Sequence, residues 1–145
     1  MGKIRRMEEE DVEKVLQIER TVFSNPWPAL AFLSELRVPV SRSFVLEESG
    51  KLIGYIIYRV VKEEMHVLNI AIRPDWQGKG YGKRLMKWAM ERERKEGVKY
   101  VTLEVRKSNI KAIRLYEKLG FQKLRVIKNY YMQPVEDAVV MIKFL

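Results

Sequence analysis

The chain has 145 residues, 47% of them hydrophobic, so it can bury one hydrophobic core and is too short for two domains of ordinary size. Its 28 Lys and Arg residues against 19 Asp and Glu residues give a net charge of +9, which favours an anionic ligand or partner. The lack of cysteine excludes disulfide bonds, thiolate metal sites and a cysteine-bound intermediate. Because neither a membrane-spanning apolar run nor a signal-peptide pattern is present, we expect one cytoplasmic domain over residues 1–145.

The N-terminal half of the chain predicts two helices and an antiparallel meander. A β-like segment at 3–6 precedes EEEDVEKVLQIERTVF, which has apolar residues at helical spacing and acidic residues in the first turn. Two prolines separate this helix from a second one, predicted from about Ala29 to Leu36. SFVLEESGKLIGYIIYRVV predicts two strands around a Glu-Ser-Gly-Lys turn, and MHVLNIAI, apolar on both faces, predicts a central strand.

The C-terminal half alternates helices with strands. After Pro74 and a glycine-rich loop, YGKRLMKWAMERERKEG predicts a long helix that ends at Gly97. KYVTLEV is the next predicted strand, and we expect Ser108 to cap the helix NIKAIRLYEKLG, which ends at Gly120. FQKLRVIKNYYM and AVVMIKFL are the last two predicted strands. This order of elements predicts a mixed α/β (α+β) fold.

The stretch WQGKGYGKRL, residues 76–85, places glycines at three alternating positions between the central strand and the long helix. A Walker A loop is excluded, because Gln77 stands where that motif has glycine and Arg84 where it has a hydroxyl. The dinucleotide fingerprint is also excluded, because Lys83 or Leu85, depending on the starting glycine, occupies its third glycine position. Glycines at the start of a helix still leave backbone N–H groups that can bind a pyrophosphate.

The pattern Gln77-x-x-Gly80-x-Gly82 after an apolar strand resembles the acetyl-CoA loop of the GNAT acetyltransferase superfamily. The segments LEVRKSNIKAIRLYEKLGF and KNYYMQPVEDAVVM are similar to later motifs of its RimI group and archaeal relatives, which acetylate protein α-amino groups. The resemblance extends from about Ile4 to Met141. It implies the GNAT fold, a mixed sheet of about seven strands with an antiparallel N-terminal meander and about four helices.

The resemblance also implies acetyl-CoA as the co-substrate. The backbone of Ile70, Ala71 and Ile72 is then expected to bind the pantetheine arm and the acetyl carbonyl. Asn109 is expected either to bond to the cofactor or only to cap its helix. One histidine and scattered carboxylates have no ligand spacing, so we expect no metal. The residues assigned to the pyrophosphate loop are Gln77, Gly78, Lys79, Gly80, Tyr81, Gly82 and Lys83, of which the motif requires Gly80 and Gly82.

Acetyl transfer to an amine needs a proton acceptor for the amine and a proton donor for the leaving CoA thiolate. The resemblance assigns Glu104 as the acceptor and Tyr116 as the donor, in a direct transfer because no cysteine is available. From the residues alone, Glu104 could instead be a solvent-facing strand glutamate or a partner for Arg106. Tyr116 could be a core tyrosine with its hydroxyl on a carbonyl. His66, the only histidine, matches one in archaeal relatives and is a second-choice base, a water organiser or a structural residue.

The expected substrate is a protein N-terminus, such as that of a ribosomal protein. The resemblance places the loop from Phe23 to Trp27 and the pair Tyr130 and Tyr131 beside a peptide groove, although such aromatic pairs also cover core edges. RimI enzymes acetylate an alanine-initiated ribosomal protein, whereas archaeal relatives accept several first residues, and the strand with His66 leans towards the archaeal type. Two alternatives remain open: a GNAT enzyme acting on lysine or a small amine, and a non-catalytic CoA-binding module contacting RNA or ribosomes. The main hypothesis requires neither a membrane nor nucleic acid.

Overall fold

The computed structural model describes residues 2–145 and places seven strands in one sheet with four α-helices packed against it. The strands are β1 (Lys3–Arg6), β2 (Ser41–Glu48), β3 (Lys51–Val61), β4 (Glu64–Ile72), β5 (Tyr100–Arg106), β6 (Gln122–Met132) and β7 (Val135–Phe144). The helices are α1 (Val12–Val22), α2 (Ala29–Glu35), α3 (Tyr81–Lys95) and α4 (Ile110–Lys118), with 3-10 turns at Glu9–Asp11 and Pro74–Trp76. The predicted numbers of strands and helices are confirmed.

The strand order is β1-β2-β3-β4-β5-β7-β6, which places β4 in the middle as predicted. Strands β1 to β4 form the expected antiparallel meander. The β2–β3 turn has positive φ at both Ser49 and Gly50, +52° and +76°, as a two-residue hairpin connection requires. The long helix α3 then carries the chain from β4 to β5, and the two strands pair in parallel.

Strands β4 and β5 pair only over their first residues. The paired residues are Glu64 with Tyr100, Met65 with Val101 and His66 with Thr102. Val67 and residues 69–72 of β4 stay paired with β3, with a register shift at Leu68. Within residues 2–145 this half of β4 has no partner on its β5 side. The two strands therefore open into a cleft at their carboxyl ends, which is the edge where sheets with parallel strands bind ligands.

Both faces of the sheet are buried at β3 and β4, which explains why most residues of these two strands are apolar. One core contains Ile56 and Tyr58 of β3 together with residues of α3 and α4. The other contains Tyr55 and Ile57 of β3 together with residues of α1 and α2. No helix formed by residues 2–145 is long and apolar enough to cross a membrane.

The prediction that Ser108 caps α4 is wrong. Asn109 is the N-cap, and its side-chain oxygen accepts a hydrogen bond of 3.2 Å from the backbone N–H of Ala112. Ser108 lies one residue too early for this bond, and its own backbone N–H donates to Glu136 of β7 at 2.6 Å. The capping role expected for Asn109 as one of two alternatives is therefore confirmed.

Candidate active site

Helix α3 begins at the glycine loop with backbone N–H groups that no side chain caps. Its N-cap is Gly80, in the left-handed conformation with φ of +88°. The N–H of Arg84 donates to the carbonyl of Gly80 at 3.0 Å, so the N–H groups between these two residues precede the first intrahelical bond. Uncapped N–H groups at the positive end of a helix dipole favour the binding of an anion.

Three side chains of this loop contact other residues of the protein, although Gln77 and Lys79 are exposed. The amide nitrogen of Gln77 donates to the carbonyl oxygen of Ile72 at 2.9 Å and anchors the loop to the end of β4. The ammonium of Lys79 lies 5.3 Å from the ring centre of Trp76, and the hydroxyl of Tyr81 donates to Glu48 at 3.3 Å. The backbone is therefore the part of this loop best placed to hold an anion, while Lys83 is exposed beside it.

The segment predicted to present its backbone to a cofactor lies on the open half of β4. Ile70, Ala71 and Ile72 pair with β3 on one side only. The side chains of Ala71 and Ile72 are buried, so this segment packs into the core while one backbone edge faces the cleft. The side chains of this segment can therefore pack in the core while its backbone remains free to bind a cofactor, as expected.

Glu104 on β5 contacts His66 on β4 where the pairing of the two strands ends. The Nε2 atom of His66 lies 2.9 Å from each carboxylate oxygen of Glu104. The side chains are 35% and 18% exposed, so both groups remain accessible from the cleft. The hydrogen bond to Glu104 raises the pKa of His66 above its ordinary 6.5, and burial opposes the shift. The alternative pairing of Glu104 with Arg106 is wrong, because Arg106 bonds to Glu136 at 3.2 Å.

We expect the single histidine to give one NMR titration curve with a midpoint above pH 6.5. In the Glu104→Gln variant this midpoint should be lower. A raised folded-state pKa means that the pair stabilises the fold fully below the unfolded pKa, and that this contribution is lost as pH rises through the folded-state pKa. Glu104→Gln should therefore lower the free energy of unfolding more at pH 6 than at pH 9. An unchanged midpoint in the variant would contradict the contact.

Tyr116 on α4 has its ring against Phe121, with 5.7 Å between ring centres. Burial raises the pKa of Tyr116 to about 12, so the phenol keeps its proton near neutral pH. Its hydroxyl makes no hydrogen bond to any other described residue, contrary to the alternative of a core tyrosine bonded to a carbonyl. The Tyr116 hydroxyl is therefore not used in a hydrogen bond within the described residues.

The Tyr130 and Tyr131 pair lies beside Glu104. The Tyr130 hydroxyl donates to Glu104 at 3.5 Å, and the two tyrosine rings are 5.0 Å apart at their centres. The pKa of Tyr131 is raised to about 12 by burial and, to a smaller extent, by the neighbouring Tyr130, Glu104 and Tyr116, which shows that these groups are close together. Arg106 lies over the Tyr131 ring at 4.3 Å and holds the pair in place.

One buried residue of this region escaped the sequence analysis. Glu19 on α1 is 1% exposed and accepts a hydrogen bond from the backbone N–H of Trp27, in the loop predicted to bind substrate. The signal was present in the sequence, because Glu19 follows Val15 by four residues and Leu16 by three and so lies on the apolar face of α1. An acidic residue on an apolar helix face indicates a buried polar contact.

A helix start with uncapped N–H groups, an open parallel strand pair, a carboxylate where the pairing of the strands ends and a phenol without a hydrogen bond fit an enzyme that transfers an acyl group from CoA. Residues 12–121 match the model of the acetyltransferase (GNAT) family. The chain belongs to this family and is an acetyltransferase that uses acetyl-CoA. The cofactor fits the residues present, since the α3 N–H groups suit its pyrophosphate and the open edge of β4 suits its pantetheine arm.

Relatives place the chain in the RimI group of this family. It is 36% identical over 143 residues to the [ribosomal protein bS18]-alanine N-acetyltransferase of Escherichia coli K12, covering 97% of this chain and 96% of that protein. The crystal structure of the Escherichia coli ribosomal-protein-S18-alanine N-acetyltransferase matches with a TM-score of 0.92 and 35% identity, covering 99% of this chain and 94% of that chain. Ard1 from Thermoplasma volcanium matches with a TM-score of 0.91 and 27% identity, covering 99% and 97% respectively. The predicted GNAT fold is confirmed.

Gly80→Val is expected to weaken acetyl-CoA binding by about tenfold or more, because a β-branched side chain strains the left-handed N-cap that orients the α3 N–H groups. Gly78→Val is a matched control, since Gly78 also has positive φ, +77°, and the Cβ added at either glycine meets no atom within 4 Å. Gly82 lies inside α3 with no positive φ, so its backbone needs glycine less than the motif implies. Isothermal titration of acetyl-CoA checks this, and equal losses in the two valine variants would contradict a specific role for Gly80.

Proposed function

We propose that residues 1–145 act as one N-acetyltransferase domain that moves the acetyl group of acetyl-CoA to the N-terminal alanine of a bS18-type ribosomal protein. The observation that carries this proposal is the contact of Glu104 with His66 at the open cleft between β4 and β5, together with a Tyr116 hydroxyl that bonds to no other described residue. The identity with the Escherichia coli bS18-alanine enzyme over nearly the whole chain supports the choice of substrate.

Glu104 is the proton acceptor in this proposal. An α-amino group has a pKa of about 8, so roughly one in ten is neutral near pH 7 and a carboxylate suffices as base. His66 holds the Glu104 carboxylate through Nε2, and the Tyr130 hydroxyl bonds to the same group. His66 thus orients Glu104, and a role as the base itself is secondary.

Tyr116 is the proton donor in this proposal. When bound, acetyl-CoA supplies an activated acetyl group on sulfur. Glu104 first takes a proton from the α-ammonium group, which leaves a neutral nitrogen. As this nitrogen bonds to the acetyl carbon and the carbon–sulfur bond breaks, the Tyr116 hydroxyl donates to the sulfur, and the excess proton of the acylated nitrogen replaces the one that Tyr116 has lost. Its pKa of about 12 keeps the donor protonated until charge develops on that sulfur.

The remaining site residues divide between the two substrates. We assign the pyrophosphate to the backbone of 78–83 and the pantetheine arm to the backbone of Ile70 to Ile72. Asn109 already caps α4 through its side-chain oxygen, so a bond to the cofactor would use its amide nitrogen. We assign the peptide to Tyr130, Tyr131 and the loop from Phe23 to Trp27.

The alanine-type specificity is preferred to the broader archaeal type. The solved bacterial S18-alanine enzyme is 35% identical to this chain, whereas the archaeal Ard1 is 27% identical at almost the same TM-score. The prediction of a broader, archaeal-type substrate range depends on His66 alone. The contact of His66 with Glu104 explains the presence of this histidine without reference to substrate range.

Transfer of label from isotopically labelled acetyl-CoA tests the proposal. The acceptors are an alanine-initiated peptide, the same peptide with a blocked N-terminus and an internal lysine, and spermidine. We expect label on the free N-terminus and a marked fall in rate when the first residue is not alanine. Equal labelling of the blocked peptide or of spermidine would contradict an N-terminal substrate, and equal rates with all first residues would contradict the alanine preference.

A further inference from the structure

The carboxylate of Glu19 is buried against the loop that joins α1 to α2. Its Oε1 accepts hydrogen bonds from the Tyr55 hydroxyl at 2.5 Å and from the Asn69 amide at 2.8 Å. Its Oε2 accepts a hydrogen bond of 2.9 Å from the backbone N–H of Trp27. A buried carboxylate is strongly unfavourable unless donors surround it, and these three donors meet that need.

These contacts join the peptide side of the site to the cofactor side. Asn69 lies on the open half of β4, directly before the segment assigned to the pantetheine arm. Trp27 lies in the loop assigned to the peptide, and its ring is 5.2 Å from that of Phe32. The ring centre of Phe32 in turn lies 6.0 Å from that of Tyr55. Aromatic contacts therefore also connect Trp27 to Tyr55, which bonds to Glu19.

The loop has little else to hold its backbone. It contains two prolines and no helix or strand between the end of α1 and the start of α2. Among residues 24–27, the N–H of Trp27 is the one backbone donor with a bond to another described residue. Glu19 therefore links the backbone of this loop to Asn69 of β4.

We propose that Glu19 is a positioning residue for peptide binding, which fixes the loop at 23–28 relative to the open half of β4. The inference rests on the proposed function for the identity of the peptide, but the placement of the loop can be measured without it. Glu19 touches no reacting group, so its loss should affect the affinity for peptide more than the chemical step.

A second buried carboxylate provides a matched control. Glu93 on α3 is 2% exposed and accepts hydrogen bonds of 2.6 Å from the Tyr58 hydroxyl and from Arg92. It belongs to the opposite face of the sheet, away from the loop. Tyr55 and Tyr58, which donate to Glu19 and Glu93 respectively, are both fully buried. Their phenylalanine variants form a second matched pair, in which each carboxylate loses one hydrogen bond and keeps its charge.

Glu19→Gln replaces one acceptor oxygen with an N–H donor, so in either orientation of the amide a donor faces a donor. We expect the KM for peptide to rise about tenfold, with kcat and the KM for acetyl-CoA changed less than about twofold. We also expect faster hydrogen exchange at the Trp27 amide. Glu93→Gln should lower Tm without changing the KM for peptide or the hydrogen exchange at Trp27. If a glutamine variant does not fold, comparing Tyr55→Phe with Tyr58→Phe makes the same test.

An equal rise in peptide KM for the two variants of a pair, or unchanged exchange at Trp27 in both Glu19→Gln and Tyr55→Phe, would overturn the inference. Failure of the wild-type enzyme to acetylate the peptide would contradict the proposed function instead. The exchange measurement would then still decide whether Glu19 holds the loop.

Discussion

Replacing Tyr116 by phenylalanine is expected to lower kcat about 100-fold or more, because the leaving sulfur loses its proton donor. The KM for acetyl-CoA should change little, since the ring and its contact with Phe121 remain. Tm should also be unchanged, because the hydroxyl has no hydrogen bond to the described residues that could be lost. Steady-state rates of CoA thiol release, together with thermal unfolding, check both statements.

Tyr100→Phe is the control for this variant. Tyr100 is a partly buried tyrosine at the start of β5, packed on Phe144 with 6.4 Å between ring centres, and it has no assigned role in the reaction. Its loss should leave kcat unchanged. Full activity of Tyr116→Phe, or an equal loss in both variants, would contradict the assignment of Tyr116 as donor.

Replacing Glu104 by glutamine is expected to lower kcat/KM about 100-fold at pH 7, because the attacking amine loses its proton acceptor. The loss should shrink as pH rises above the α-amino pKa of about 8, where most of the substrate is already neutral. In the wild type, activity should rise with pH through the raised pKa of His66, because protonated His66 pairs with the carboxylate and weakens it as a base. Profiles of kcat/KM from pH 6 to 10 for both proteins check this.

Glu136→Gln is the matched control for the Glu104 variant. Glu136 is a neighbouring carboxylate whose pKa is lowered by hydrogen bonds from Ser108 and by Arg106, and it does not touch His66. Its loss should have a smaller effect that does not shrink at high pH. A loss in Glu104→Gln that is the same at every pH would favour a structural role for Glu104 and contradict its role as base.

Much of the fold was predictable because its signals are local. The nearly continuous apolar run predicted β4 as a central strand, Pro74 marked its end, and Gly97 and Gly120 marked the ends of α3 and α4. The same local signals failed at Ser108, because two adjacent residues can both cap a helix. In the structure the Ser108 N–H bonds to Glu136, 28 residues away, and Asn109 caps the helix, which begins at Ile110.

The sequence by itself determined the position of the glycine loop and the order of helices and strands, because these depend on short-range spacing. It also singled out Glu104 and Tyr116, because each lies in a short motif. Only the tertiary structure decided which side chains meet. His66 and Glu104 are 38 residues apart, and they touch because helix α3 brings β5 parallel to β4 and the two strands then diverge. Glu19 and Asn69 are 50 residues apart, and their contact depends on α1 packing over the open half of β4. Such pairs follow from sheet order and packing, which no local pattern in the chain encodes.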